Sequence, residues 1–312
     1  MSVGWERNGK LMCNTIRMEL YKMFRMQAFW VITLITILMV AVSASFLVSD
    51  IEENTTSEVT LVDGPSSSQA DEESDDATTL QFGINESSEG MDANNLQVLQ
   101  VFMAHLSSGM FALFNVIFLI IFVTADQKNG YIKNIGGQVK RRYRLIVAKW
   151  VAAAVYVLVF DAIMLATQVV ALVATQGYLH WGSAQTYLPC IGIQMLLQYA
   201  FLVACMTLTM VIRSRALGMT AGVCLSMGMA SLLCMLIDVA SRRFLHIENL
   251  QLENYLITTK INLIVPGVAD TQIRNAVILA VCYLAVMTVL SIINVEKRED
   301  RKSTRLNSSH AR

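Results

Sequence analysis

The residues best suited to a specific task form a basic stretch between Thr124 and Lys149, opposed by a single acid, Asp126. Seven Lys and Arg side chains fall there: Lys128, Lys133, Lys140, Arg141, Arg142, Arg144 and Lys149. Long apolar runs flank the stretch on both sides. Because Lys and Arg accumulate in the cytoplasmic loops of membrane proteins, this charge predicts a cytoplasmic loop over residues 125–146.

The same loop contains a short predicted helix. Gly130 can end the incoming helix, because glycine tolerates the left-handed conformation of a helix end. One more turn follows over residues 131–135, where Ile132 and Ile135 are three apart and share a face. The glycine pair 136–137 then stops it. We interpret this turn as a docking helix that offers two isoleucines to a partner outside the membrane. The alternative is a loop that serves only as an orientation signal.

The sequence ADQKNGYIKNI followed by RRYRLIVAK resembles the first cytoplasmic loop of type-2 permeases of ATP-binding-cassette (ABC) exporters, in particular bacitracin-resistance and lantibiotic-immunity permeases. These permeases usually have an acid immediately before Lys-Asn-Gly, whereas the nearest acid here is Asp126. As an order of spans and loops, the resemblance extends over residues 10–299. It implies a loop that couples the permease to a separate ATPase through Gly130, Tyr131, Ile132, Ile135, Arg141 and Arg142.

The composition agrees with a membrane protein. Hydrophobic residues make up 54% of the 312 residues and charged residues only 15%, whereas roughly a quarter of a soluble domain is charged. The net charge of zero hides a strong segregation, since residues 50–92 contain thirteen acids and no Lys or Arg. The six cysteines fall mostly inside or beside apolar runs, which favours small apolar fillers over a disulfide framework or a metal site.

Six apolar runs are close to the ~20 residues that cross the hydrocarbon layer of a bilayer. They cover residues 28–48, 99–124, 145–174, 187–211, 216–240 and 275–294. The sequence therefore predicts an all-α integral membrane protein with six transmembrane helices, multi-pass in the plasma membrane, with both termini cytoplasmic. Residues 10–27 are basic and amphipathic, which predicts an elbow helix in the headgroup layer before the first span.

The segments between the spans divide by composition. Residues 49–98 are acidic and lack apolar periodicity, which predicts a loose external loop. We interpret it as a solvated insertion, with a gating or peptide-sensing loop as the alternative. Residues 241–274 are too polar to span yet contain short apolar runs, which predicts external re-entrant or interfacial helices. Residues 300–312 read like a translated sequencing adapter, so the six-span permease domain is expected to cover residues 1–299.

Two acids lie inside predicted spans. Asp161 is near the middle of the third span, where a carboxylate costs about 2.5–3.5 kcal/mol on insertion scales. It therefore predicts either a role in the pathway, through cation coupling or substrate contact, or an interhelical hydrogen bond. Asp238, near the outer end of the fifth span, is expected to pair with Arg242 or Arg243.

No phosphate-binding loop or catalytic motif occurs, so the chain is expected to be a transport subunit and not an enzyme. ATP and magnesium would be bound by a partner ABC ATPase, with no cofactor on this chain and no nucleic acid. A second permease copy or a paralogue would complete the pathway. The expected cargo is a peptide antibiotic, an amphipathic compound or an ion. The alternative function is a membrane sensor or scaffold whose external loop binds a ligand without transport; a secondary transporter fits less well, since no internal repeat is evident.

Overall fold

The computed structural model describes residues 2–60, 96–128, 143–212, 214–245 and 252–310. Its regular elements there are helices. In addition, Gln97 and His180 form one isolated β-bridge. The α-helices in chain order are α1 (Ser2–Arg25), α2 (Gln27–Thr60), α3 (Val98–Ser107), α4 (Met110–Lys128), α5 (Tyr143–Gln176), α6 (Ala184–Ile212), α7 (Arg215–Ser226), α8 (Met229–Leu245), α9 (Ile257–Leu263) and α10 (Asp270–His310). A 3₁₀ turn, Leu252–Tyr255, precedes α9.

Within the described residues, four helices are long and apolar enough to cross a membrane without interruption. Their apolar segments are Gln27–Phe46, Arg144–Gln176, Ala184–Ile212 and Asp270–Asn294. The expectation of an all-helical protein with several helices of membrane-spanning length is confirmed. We call the end of the bundle at which α4 ends and α5 begins the basic end, after Arg144, Lys149 and Arg215, and the opposite end the far end.

The second and fifth predicted spans each consist of two helices separated by a bend, a feature that the sequence analysis did not predict. The α3 and α4 axes meet at 58°, and the α7 and α8 axes at 73°. Each break contains a glycine in the left-handed region, Gly109 with φ 77° and Gly228 with φ 80°. Glycine adopts this conformation without the steric cost that a Cβ brings. Counting each bent pair as one span, the described chain has six candidate spans.

The predicted loose segment 49–98 is helical at both ends. Helix α2 continues past the predicted end of the first span at Val48 as far as Thr60. Glu52, Glu53 and Glu58 lie in this extension, and glutamate is a good helix former, so the helix does not end where the apolar run ends. Helix α3 begins at Val98, whose N–H donates to the His180 carbonyl over 2.8 Å. Residues 61–95 lie outside the described residues.

Helix α6 is the centre of the bundle. It packs against α3, α4, α5, α7, α9 and α10. Within the most apolar window of each uninterrupted span, 56% of α6 is buried, against 33% for α2 and α5 and 17% for α10. The exposed faces of α2 and α10 are dominated by aliphatic and aromatic side chains, as expected for helices that face lipid or another subunit.

An aromatic cluster holds α2, α4 and α5 together at the basic half of the bundle. The rings of Phe118 and Tyr156 stack with centroids 4.4 Å apart, and Phe29 meets both edge-on at 5.7 and 6.0 Å. All three side chains are almost completely buried. Edge-to-face and offset pairs of this kind contribute about 0.5–1.5 kcal/mol each beyond the burial of their area. The cluster therefore makes these three helices one packed unit.

Candidate functional site

The residues predicted to couple the chain to an ATPase lie outside the described part of the structure. These are Gly130, Tyr131, Ile132, Ile135, Arg141 and Arg142. The structure does describe what flanks them: α4 extends to Lys128 and α5 begins at Tyr143. The coupling role of the loop residues therefore remains a prediction, and the structure describes the two helices that lead into the loop.

Those helices are joined to α1 by a buried ion pair. Lys149 Nζ lies 3.2 Å from Glu19 Oε2, and Lys22 Nζ lies 3.3 Å from Glu19 Oε1. The Glu19 side chain is 1% exposed and that of Lys149 is 9% exposed. Lys149 Nζ also lies over the Phe122 ring of α4, 4.8 Å from its centroid, a favourable position for a cation. We call Glu19, Lys22, Lys149 and Phe122 the clamp.

The position of the clamp matters because Lys149 is close to the start of α5. It lies six residues after Tyr143, a rise of about 9 Å at ~1.5 Å per residue. Removing one partner of a buried ion pair leaves an uncompensated charge and typically costs about 3–5 kcal/mol. The first turns of α5 are thus held to α1 by a buried ion pair and to α4 by the contact between Lys149 and the Phe122 ring, and separating the ion pair is costly.

The sequence interpretation missed Glu19. Residues 10–27 were expected to form an amphipathic helix in the headgroup layer, and α1 does pack Met23 and the partly buried Leu20 against the core of the bundle. Glu19 falls on this same apolar face, at spacings of three and four from Ile16 and Met23. An acid on the apolar face of a basic helix was the available signal, and it predicts a buried cation opposite.

Asp161 is completely buried in α5, and neither carboxyl oxygen has a hydrogen-bond partner among the described residues. The nearby Tyr156 hydroxyl is likewise buried without a described partner. Asn115 of α4, also fully buried, has an unpartnered side chain as well. Asp161 does not line either of the described cavities. Its role in the pathway therefore remains a prediction, and the alternative interhelical hydrogen bond is not formed with any described residue.

The two helix breaks meet inside the bundle. A Cβ placed on Gly109 would lie 3.4 Å from the Ser226 carbonyl oxygen, so the α3–α4 break and the α7–α8 break are in close contact. Below them, Gly222 lets α7 approach α4 closely, because an added Cβ would lie 2.5 Å from Val116 Cγ1. Non-helical backbone at membrane depth is tolerated where it is buried in protein or lines a water-filled cavity.

The segment from the 3₁₀ turn to Ile264 lies beside these breaks, and side chains of neighbouring helices form hydrogen bonds with its backbone. Gln194 Nε2 of α6 donates to the carbonyls of Ile261 and Ile264 over 2.6 and 2.9 Å. The Leu252 N–H donates to Asp238 Oδ2 over 3.3 Å. Arg243, one of the two predicted partners of Asp238, makes no ion pair with it, and the Arg242 side chain is outside the described part of the chain. In place of an arginine, Asp238 binds a backbone N–H that the turn leaves free.

A cavity of about 260 Å³ with a mixed polar and apolar lining lies between the two breaks and this segment. It is lined by Ser108, Gly109, Ala112, Ser226, Gly228, Ser231, Glu253, Thr258, Thr259, Ile261, Asn262 and Leu263. We call it the break pocket. Two features of the sequence contribute to it: the polar residues of the second apolar run, among them Ser108, and the glycines of the fifth, among them Gly228.

Comparison of the sequence with protein-family models finds no matching family, and comparison with curated proteins finds no significant relative.

Proposed function

We propose that the chain is the membrane-spanning permease subunit of an ABC exporter, driven by a separate ATPase subunit. The observation that carries the proposal is the basic, glycine-bounded loop with Ile132 and Ile135, placed between the second and third candidate spans. A transport subunit also needs several membrane-crossing helices, and the four uninterrupted and two bent candidates supply them.

The clamp supports the proposal because it links the two helices that flank the loop to α1. The loop joins α4 to α5, and the clamp ties both helices to α1 through Phe122, Lys149 and Glu19. A displacement of the loop by a cytoplasmic ATPase would therefore carry α1, α4 and α5 together. With the positive-inside rule, the basic end is cytoplasmic, which puts α1 on the same side as the ATPase.

Two copies of this chain, or one copy and a paralogue, would meet two ATPase subunits, since ABC ATPases close as a dimer and each needs a loop to act on. The partner ATPase would bind ATP and magnesium. The cargo would be a peptide antibiotic, another amphipathic compound or an ion, moved through the plasma membrane with both permease termini in the cytoplasm. In this arrangement Asp161 would serve the pathway through its buried carboxyl.

The test is docking. The proposal expects an ABC ATPase in a neighbouring reading frame; the chain is co-expressed with that ATPase, purified in detergent through a tag on the permease, and reconstituted for transport. Ile135→Asp replaces an aliphatic side chain, whose burial contributes about 1.5–3 kcal/mol, by a carboxylate. We expect this variant to accumulate normally, to lose the ATPase on purification and to lose transport.

Gln138→Asp is the matched control, because it adds the same charge to the same loop just beyond the glycine pair. It should retain the ATPase. If the parent chain never retains the ATPase, or if Ile135→Asp retains it and transports, the permease assignment fails. A sensor or scaffold without transport would then account better for the sequence.

A further inference from the structure

The break pocket has the chemistry of a binding site for a positive group. Among the described residues that line it, none is Lys, Arg or His, and the one charged side chain is Glu253. Glu253 is partly exposed and makes no ion pair with a described residue. The pocket therefore combines a single negative charge with an otherwise uncharged, oxygen-rich wall.

The serines of the wall face the cavity as acceptors. Each of the three hydroxyls donates its one proton to the backbone carbonyl three residues earlier: Ser108 to His105 over 2.9 Å, Ser226 to Val223 over 2.8 Å, and Ser231 to Gly228 over 2.7 Å. A hydroxyl that donates its proton still has two lone pairs. Ser108 Oγ spends one of them on the Met110 N–H at 3.3 Å. No described group donates to the lone pairs that remain, so they can accept from a donor that enters the pocket.

The second wall contributes groups of the same kind. Thr258, Thr259 and Asn262 lie on α9 and are partly exposed. No hydrogen bond from their side chains to another described residue is present in this wall. Partial exposure of Glu253 and of this face of α9 gives the pocket an entrance at the far end. A ligand can thus reach the site, and these side chains can still form hydrogen bonds with it.

The volume decides between kinds of cation. At about 260 Å³ the pocket exceeds the ~150 Å³ that holds a benzene ring and falls below the ~300 Å³ at which drug-sized pockets begin. A bare metal ion would leave most of this space to water, and the described residues include no group of three His, Cys, Asp or Glu side chains that could hold a metal. The space fits a small organic group.

We propose that the break pocket binds a primary ammonium group on a small organic cation or on a lysine side chain of a peptide, with Glu253 as the counter-charge and the serine and threonine oxygens as acceptors. An ammonium is the matching group because it presents three donors and no acceptor. Two breaks that line one cavity also resemble the general arrangement in which interrupted helices form substrate sites in transporters. That the bound amine is the exported cargo rests on the proposed function; the binding itself does not.

The test is calorimetry on the full chain in phosphatidylcholine nanodiscs, a lipid without a primary ammonium. One probe is n-butylamine. The other is the tripeptide Gly-Lys-Gly with blocked termini, and its lysine-acetylated form is the neutral control. Potassium chloride at equal ionic strength controls for general screening. Binding of butylamine alone would assign the site to small amines, binding of the lysine peptide alone to peptides, and either result supports the proposal.

Glu253→Gln keeps the volume of the side chain and removes its charge. We expect it to weaken binding of the amine probes roughly tenfold or more, the usual value of a hydrogen bond to a charged group. Asp270→Asn is the matched control, an exposed acid at the same end that does not line the pocket, and it should bind like the parent. Thr258→Val, at a partly exposed position, provides a second lining variant and should weaken binding severalfold.

Three results would each overturn the proposal: no heat with either amine, equal binding of the acetylated peptide, or unchanged affinity in both Glu253→Gln and Thr258→Val. The ATPase is absent from this experiment. Failure of amine binding therefore leaves the docking result untouched, and failure of docking leaves the binding result untouched.

Discussion

The clamp and the break pocket are both places where three segments of the chain bury polar groups, but they satisfy those groups differently. In the clamp, the Glu19 carboxylate meets two ammonium groups at 3.2 and 3.3 Å. In the pocket, the Glu253 carboxylate meets none among the described residues. The comparison separates two uses of charge in one bundle: charges paired within the protein fix helices to each other, and an unpaired charge beside a cavity is available to a ligand.

The two regions also differ in their backbone. The helices of the clamp are continuous where they meet, so a displacement can be transmitted along them. The pocket is built on two interruptions, each with a left-handed glycine. Sharp kinks in helices occur where the regular ladder of backbone hydrogen bonds is interrupted, so an interrupted helix can change its angle at the break more readily than a continuous one. The basic end is therefore the stiff part of the bundle, and the breaks are the positions at which it could bend.

The largest effect is expected from breaking the clamp. Lys149→Met removes the ammonium and leaves Glu19 with one partner, Lys22, which is 26% exposed. We expect the free energy of unfolding to fall by about 3–5 kcal/mol, because a buried charge loses its buried partner. Thermal unfolding in detergent, followed by size-exclusion chromatography, would measure this.

Two variants sharpen that prediction. Lys22→Gln removes an ion pair of nearly the same length on the same carboxylate, yet it should cost less than about 1 kcal/mol because water already screens it. Glu19→Leu combined with Lys149→Met should recover much of the lost stability, since replacing a whole buried pair by apolar residues is often neutral. Equal losses in Lys149→Met and Lys22→Gln would show that burial does not set the strength of the clamp.

A smaller effect is expected at the breaks. Gly109→Ala puts a Cβ on a residue with φ 77°, facing the Ser226 carbonyl at 3.4 Å. The left-handed conformation costs about 1–2 kcal/mol for a residue with a Cβ, so the unfolding free energy should fall by roughly that amount. Gly192→Ala in α6 is the control, because its added Cβ meets nothing within 4 Å. It should be neutral or gain up to ~1 kcal/mol of helix propensity. Similar losses in both variants would mean that the break does not depend on the glycine conformation.

Much of the fold could be predicted from the sequence, because an apolar run of about 20 residues has few alternatives to a helix in lipid. The breaks could not, since a glycine inside an apolar run permits a kink but is also common in straight, closely packed membrane helices. Gly109 and Gly228 form breaks, whereas Gly218 and Gly222 lie inside α7. What distinguishes them is the partner segment, which is distant in sequence: Ser226 lies against Gly109, and Val116 against Gly222.

The candidate sites likewise divide into one that lies in a single stretch of sequence and two that depend on residues distant in sequence. The coupling loop could be predicted because all of its residues are contiguous; it lies outside the described residues and stays a prediction. The clamp and the pocket join residues more than a hundred positions apart, such as Glu19 with Lys149 and Ser108 with Glu253. A single sequence indicates only one half of each arrangement: an acid on the apolar face of α1, and serines beside glycines inside two apolar runs.

Asp161 is a third case, a buried acid that has neither the ion pair of Glu19 nor the cavity of Glu253. Because neither oxygen has a described partner, Asp161→Asn removes no visible hydrogen bond and keeps the shape of the side chain. We expect its unfolding free energy to stay within about 1 kcal/mol of the parent, the smallest change of the series. If the carboxyl serves the pathway, transport in proteoliposomes should nevertheless fall severalfold, while ATPase docking is unchanged. Wild-type transport with unchanged stability would remove Asp161 from the pathway, and a stability loss comparable to that of Lys149→Met would show that the acid is held by a partner in the folded protein.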